Sequence, residues 1–144
     1  NKTNQMNLST RRLTETEFME WSKSKGNKVL TLRVTDRFGD LGLTGLLSFK
    51  IKVNRLKIVD YVLSCRVMGR KIEETMLALA GQYARNLKAI DVYARYIPTA
   101  KNKPCLEFFK RSSLAGDENN LVFSLESDVE IPFPPQITLE RKDQ

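Results

Sequence analysis

The clearest pattern in the chain is an alternation of two. Over residues 43–53, Leu47, Phe49, Ile51 and Val53 fall on one side and Ser48, Lys50 and Lys52 on the other, the mark of a strand with one covered face. Asn54-Arg55 then makes a tight turn into a second strand over 56–63, giving a hairpin. Before it, residues 29–35 alternate Leu30, Leu32 and Val34 with Thr31, Arg33 and Thr35, and Phe38-Gly39-Asp40 forms a turn whose flanking aspartates can bond local amides. A helix opens this series. Thr14 and Glu17 have capping-box spacing, Leu13 is placed to staple onto Phe18, Phe18 and Trp21 share a face, and Gly26 marks the helix end.

After residue 63 the period changes. Ile72, Thr75, Met76, Leu79, Ala80, Tyr83 and Leu87 recur at three and four residues, the stripe of an amphipathic helix, of which Ile72, Met76, Leu79 and Tyr83 read as core. At about 1.5 Å per residue it is roughly 25 Å long, enough to cover a sheet. Alternation resumes over 89–96, with Ile90, Val92 and Ala94 opposite Asp91, Tyr93 and Arg95. The loop over 97–104 ends in a helix start, where Asn102 can cap and Pro104 suits the first turn. The short helix that follows carries Leu106, Phe108 and Phe109. A strand over 121–125 and an extended proline-rich stretch over 131–135 complete the chain, with 137–140 expected to pair at a sheet edge. This order predicts one α/β (α+β) domain: a mixed, mostly antiparallel central sheet with helices on both faces.

The junction between the 56–63 strand and the long helix carries the candidate chemistry. It reads Ser64-Cys65-Arg66-Val67-Met68-Gly69-Arg70-Lys71-Ile72. A helix N-terminus offers unpaired amides and partial positive charge to an anion, the three cations add to it, and glycine lets backbone approach a ligand. At the carboxyl end of a central strand, this is where ligands of such sheets tend to lie. Cys65 is the candidate nucleophile: helix N-termini and neighbouring cations favour thiolates. Its bland alternative is a small residue at a strand end, and Cys105, beside two phenylalanines, reads as packing. The sequence contains no histidine, which excludes Ser-His and Cys-His dyads and His-ligated metal within this chain. Arg66, Arg70 and Lys71 could equally decorate an exposed turn.

Composition narrows the partners. The 144 residues hold 24 basic and 17 acidic side chains, a net charge of +7, which favours acidic partners. The charge is scattered and the aromatic residues fall at core positions, so nucleic-acid binding is the weakest reading. Neither cysteine has metal or disulfide spacing, no apolar run suits a membrane, and the opening is not signal-like, so a cytoplasmic protein is expected. The polar opening over 1–12 reads as a linker cut from something longer.

Four separated stretches resemble one family. Lys2-Thr3-Asn4-Gln5-Met6-Asn7-Leu8, Asp36-Arg37-Phe38-Gly39-Asp40-x-Gly42, Leu63 to Arg70, and Tyr96-Ile97-Pro98-Thr99-Ala100-Lys101-Asn102 resemble the C-terminal GNAT-like domain of FkbH-like proteins. The resemblance covers about residues 2–114. It implies the GNAT acyltransferase fold over 13–144, after an interdomain linker over 1–12 that follows a HAD-type phosphatase-like domain. It also implies that the whole protein loads a glyceryl unit from a bisphosphoglycerate onto an acyl carrier protein, feeding methoxymalonyl-type polyketide extender units. On that resemblance Cys65 accepts the acyl group. Ser64, Arg66, Val67, Met68, Gly69, Arg70, Lys71 and Ile72 face the phosphopantetheine of a carrier, or coenzyme A, with no metal on this chain. Asp36, Arg37, Phe38, Gly39, Asp40, Tyr96, Thr99, Lys101 and Asn102 line the acyl pocket; an Asx turn is the plainer reading of the two aspartates, and capping of the short helix that of Thr99 and Asn102. The family has glycine where Lys71 stands, and the general-acid tyrosine of many GNAT enzymes corresponds to Phe109.

Three functions compete on this reading. The first is acyl transfer to an acyl carrier protein through a Cys65 thioester. The second is a catalytically silent module that docks carrier protein or pairs two subunits while the HAD-type domain does the chemistry. The third is acyl-CoA-dependent N-acetyl transfer. Neither a nucleic-acid nor a membrane partner is expected.

Overall fold

The structure is a computed structural model that describes residues 5–9, 11, 13–117 and 119–142; Lys2, Thr3 and Asn4 of the first motif, and residues 1, 10 and 12 of the expected linker, lie outside the described residues. Helix α1 (Glu15–Lys23) starts as the capping box requires. The Thr14 hydroxyl accepts from the Glu17 amide at 3.1 Å and the Glu17 carboxylate accepts from the Thr14 amide at 3.0 Å. It ends at Lys23 rather than at Gly26, which instead turns the chain, at φ +85°, into β2 (Asn27–Asp36).

Strands β2, β3 (Gly39–Lys52) and β4 (Arg55–Leu63) form an antiparallel meander. Helix α2 (Ile72–Asn86) crosses to β5 (Asp91–Arg95), which lies parallel to β4. Helix α3 (Lys103–Arg111) leads to the hairpin β6 (Ala115–Asp117) and β7 (Val122–Glu126). The path across the sheet is β2-β3-β4-β5-β7-β6, and β1 (Met6–Asn7) pairs with β4 off that path, making seven strands among the described residues. All pairings but β4 with β5 are antiparallel, so the mixed, mostly antiparallel sheet read from the sequence is the one formed.

One extra residue in β4 sets the faces. Ser48 pairs with Asp60 but Phe49 with Ile58, so Val59 is bulged, and a bulge restarts the two-residue alternation one position on. Ile58, Tyr61 and Leu63 therefore all point to the α2 side, where Phe49 stacks on Tyr83 at 5.2 Å and the Tyr61 hydroxyl donates to the Glu73 carbonyl at 2.5 Å. Asp60 and Val62 point to the opposite side, toward Arg11 and α1. Phe108 and Phe109 of α3 pack on Tyr61 at 6.0 and 5.1 Å, closing the core with Phe123.

Three further expectations differ from the structure. Residues 137–140 form no strand; Ile137 packs on the core instead, as the proline-rich stretch runs extended past α2 and lays Ile131 where a side chain at Gly81 would stand. Within the segment read as linker, Met6 and Leu8 are buried in the core and Met6–Asn7 is a strand, because β4 extends beyond its partner β5 and offers a free edge. The side chain of Asn102 does not cap α3.

Candidate functional site

Strand β4 ends at Leu63, and the chain does not pass directly into a helix there. The Ser64 amide donates to the Thr44 carbonyl at 2.7 Å, and Cys65–Val67 form a single 3-10 turn capped by the Ser64 hydroxyl. Val67, fully buried, pins this turn to the core while Cys65 and Arg66 stay exposed. Gly69 at φ +80° and Lys71 at φ +69° then bend the backbone twice through the left-handed region before α2 begins at Ile72. Cys65 thus stands on the turn before the helix, not on its N-terminus. The expectation of a helix start beside the thiol is corrected, since two left-handed residues must intervene.

One amide of the turn before α2 faces a carboxylate from the helix itself. Glu73 folds back so that its Oε2 accepts from the Gly69 amide at 2.8 Å, and its Oε1 is buried with no hydrogen-bond partner among the described residues. An acidic group in the first turn is the arrangement a helix dipole favours. The nearby cations are engaged as well. Arg70 Nη1 pairs with Asp36 Oδ2 at 2.9 Å, Lys71 Nζ lies 3.6 Å from Glu74 Oε2, and Arg66 Nε reaches the Ser64 hydroxyl at 3.3 Å.

The Arg70–Asp36 pair brings the tip of the β2–β3 hairpin to the turn. At that tip Asp36 Oδ1 accepts from the Phe38 amide at 2.8 Å and Asp40 Oδ1 from the Gly42 amide at 2.7 Å. Each carboxyl is held below the usual range, first by that amide and then by an arginine, Arg70 for Asp36 and Arg33 for Asp40. Arg37 forms no ion pair with them; its guanidinium lies 4.7 Å over the ring of Phe38, which is 82% exposed.

Tyr96, Thr99 and Asn102 form a second cluster. The Tyr96 hydroxyl and the Thr99 amide both donate to Asn102 Oδ1, at 2.6 and 2.8 Å, and Asn102 Nδ2 donates to the carbonyls of Ile97 and Asn7, each at 2.9 Å. Thr99 Oγ1 accepts from the amides of Lys101 and Asn102, and Lys101 is exposed. These side chains close a loop onto β1. Below them Cys105 is buried, and that burial pushes its thiol up to about 12. Phe109, also buried, lies edge-on to Tyr61.

Sequence reasoning missed Glu73 and a cluster on the other face of β4. Asp60, 7% exposed, accepts from Nε and Nη2 of Arg11 at 2.8 and 2.7 Å and from the Ser48 hydroxyl at 2.6 Å. The Arg11 guanidinium also lies 4.4 Å over the Trp21 ring. This cluster borders a hollow of about 390 Å³ between α1 and β4; a second, of about 200 Å³, lies between Leu77, Phe108 and Ile131. Cys65 lines neither. The signal for Asp60 was a lone charge within the apolar run 58–63.

No protein-family model and no curated protein matches the sequence. Solved structures do resemble the fold. A protein assigned to the GNAT acetyltransferase family from Desulfovibrio desulfuricans superposes with a TM-score of 0.61 at 11% identity, covering 78% of this chain and 77% of that one. A protein assigned as a streptothricin acetyltransferase from Bacillus anthracis, in complex with acetyl coenzyme A, gives 0.59 at 13% identity over 81% and 69%. Nourseothricin acetyltransferase gives 0.54 at 18% identity, and the chain spans only 66% of its length. The GNAT acyltransferase fold read from the sequence is therefore the fold of this chain, and no described helix is long and apolar enough to cross a membrane.

Proposed function

We propose that this GNAT-like domain handles an acyl group and passes it through Cys65 to the phosphopantetheine thiol of an acyl carrier protein, as the C-terminal part of an FkbH-like protein. One observation supports this most directly: Cys65 is exposed on a turn whose neighbours Ser64 and Val67 are buried. A thiol held by a rigid turn at the surface is within reach of an arm carried by another protein. In the first step the Cys65 sulfur attacks the carbonyl carbon of an activated glyceryl group, an acyl phosphate supplied through the HAD-type domain. The carbon–oxygen bond to phosphate breaks, phosphate leaves, and the thiol proton passes to solvent. In the second, the carrier's thiol attacks the thioester, the carbon–sulfur bond to Cys65 breaks, and the proton returns to the Cys65 sulfur. Arg66 and Arg70 on the same turn would meet the carrier's phosphate.

Intact-protein mass spectrometry tests the reading. The chain mixed with a glyceryl thioester should gain a glyceryl adduct that moves to added carrier protein, and Cys65→Ser should form none. Undiminished transfer by Cys65→Ser removes the mechanism. A second reading, the silent module that docks carrier protein or pairs two copies, is favoured by the burial of Phe109, which leaves no acid at that position. Carrier binding without any adduct selects it.

A further inference from the structure

A solved structure of this fold holds acetyl coenzyme A, and the present chain has two places that could take up parts of such a molecule. The first is the opening of the sheet. Strands β4 and β5 pair in parallel only from Arg55/Asp91 to Ile58/Ala94. Beyond the bulge at Val59, β4 continues to Leu63 without β5, and an extended amide-bearing chain such as pantetheine would enter by pairing with that edge. Here the edge is taken. Met6 and Asn7 pair with Leu63 and Val62, the Leu8 amide donates to the Tyr61 carbonyl at 3.1 Å, and the Ile97 amide donates to the Leu8 carbonyl at 3.0 Å. The inserted segment is bonded on both sides and is locked by Asn102 on the Asn7 carbonyl, with Met6 and Leu8 at 2% and 1% exposure.

The second place is the start of α2, where the diphosphate would need free backbone amides. The Gly69 amide, on the turn before the helix, is bonded to the Glu73 carboxylate, Glu74 adds a second acidic group to the first turn, and Lys71 occupies a left-handed position with its ammonium toward Glu74. A diphosphate would meet two carboxylates where it needs donors. The residues present do not fit coenzyme A at either place.

We infer that this domain takes no free coenzyme A, because residues 6–8 fill the β4 edge and the Glu73 carboxylate occupies the Gly69 amide of the turn before α2. This rests on the acyl-transfer reading above and excludes free coenzyme A as its thiol substrate. The β4 edge is closed to a carrier's pantetheine arm as well, but a carrier protein supplies affinity through its own surface and needs only to present its thiol at Cys65, whereas free coenzyme A has no such second surface.

The test is calorimetric titration of the chain with coenzyme A, with hydrogen exchange of the Leu8 and Ile97 amides followed in the same samples. Expected are no saturable heat up to about 1 mM and slow exchange of both amides throughout. Saturable binding in the micromolar range overturns the inference, whether the Leu8 amide stays protected, meaning a site elsewhere, or is released, meaning that the segment is displaced. A parallel assay offers glyceryl-charged protein either carrier thiol or coenzyme A at equal concentration. Carrier should discharge Cys65 faster by on the order of 100-fold; equal rates overturn the substrate class while leaving the Cys65 mechanism standing. If Cys65 never becomes charged, the mechanism fails, and the titration still decides on coenzyme A.

Discussion

Asn102 Nδ2 lies 2.9 Å from the carbonyl oxygen of Asn7, a bond that spans 95 residues and ties the loop after β5 to the first strand. The same fully buried side chain serves Tyr96, Thr99 and Ile97. Removing it leaves several buried polar groups without partners, and each such group costs about 1–3 kcal/mol. Asn102→Ala should lower the unfolding free energy by about 3 kcal/mol and speed exchange of the Leu8 amide. Asn102→Asp should be at least as damaging, because an oxygen replaces the nitrogen that faces two carbonyls. A urea midpoint within error of the parent for Asn102→Ala would show that β1 is held by its strand pairing alone.

The two cysteines should separate cleanly by reactivity. Cys65 is exposed, whereas Cys105 is fully buried with its thiol pushed up to about 12. At pH 8 a soluble alkylating agent should modify one thiol per folded chain and two in denaturant, and Cys65→Ser should bring the folded count to zero. The raised Cys105 value has a linked consequence: the folded state holds that proton more tightly, so the contribution is complete below the ordinary thiol range and is lost as pH rises from about 8.5 toward 12. Rapid labelling of Cys105 in the folded chain would mean that the region around α3 opens.

Much of this fold was legible because its determinants are local. The alternation of Leu47, Phe49 and Ile51, the Thr14–Glu17 box and the stripe through Ile72, Met76 and Ala80 each place a strand or helix from neighbouring residues alone. What stayed hidden was set at a distance. The two residues of β1 carry no period, and they are a strand only because the edge of β4 is free beyond Ile58. Ala115–Asp117 are all exposed and gain strand structure solely from pairing with β7. At the site, the cations of the 65–71 turn were visible in the sequence, but their partners were not: Asp36 comes from a hairpin 34 residues earlier, and Glu73 is read as helix surface until its side chain is seen to turn back.

The cluster on the α1 face should behave as a coupled unit. Arg11 and Asp60 form a two-pronged pair with side-chain exposures of 23% and 9%, and the Ser48 hydroxyl completes the carboxylate's bonding. Taking away one partner of a largely buried pair strands the other, at a cost of about 3 kcal/mol. Arg11→Ala and Asp60→Ala should each be destabilising to about that extent, and the double variant should be less than additive by about 1–3 kcal/mol. Arg11→Lys should not restore the parent value, because an ammonium cannot match both oxygens and loses the flat contact with Trp21. Strict additivity in the urea-measured cycle would mean that the pair contributes no coupling.

Acid should loosen the β2–β3 tip before it unfolds the domain. Asp36 is held low mainly by the Phe38 amide and also by Arg70; Asp40 is held low mainly by the Gly42 amide and also by Arg33. A depressed folded-state value means that the stabilising contribution is present above the ordinary carboxyl range and is lost as pH falls through the lowered values. The amide resonances of Phe38 and Gly42 should therefore titrate with midpoints below about 3.9. Arg70→Ala should raise the Phe38 midpoint and leave the Gly42 midpoint unchanged. Midpoints at or above the ordinary range would rule out these bonds in solution.

Glu73 provides the sharpest test of why the start of α2 is closed to anions. Its carboxylate holds the Gly69 amide, and a Cβ added at Gly69 would meet nothing within 4 Å, so the turn is open on that side. Replacing the carboxylate with a methyl should remove both the internal acceptor and the negative charge, leaving Gly69 φ and the Arg70 guanidinium as they are. Glu73→Ala should thus be less stable than the parent in buffer, by about 1 kcal/mol for the lost bond. Inorganic pyrophosphate should then raise its melting temperature in a saturable way, because a helix N-terminus with free amides binds such anions. The parent chain should show no such rise. Equal stabilisation of both proteins by pyrophosphate would place the anion elsewhere on this basic surface, and no stabilisation of either would show that the emptied helix start is still too poor a site to hold a phosphate.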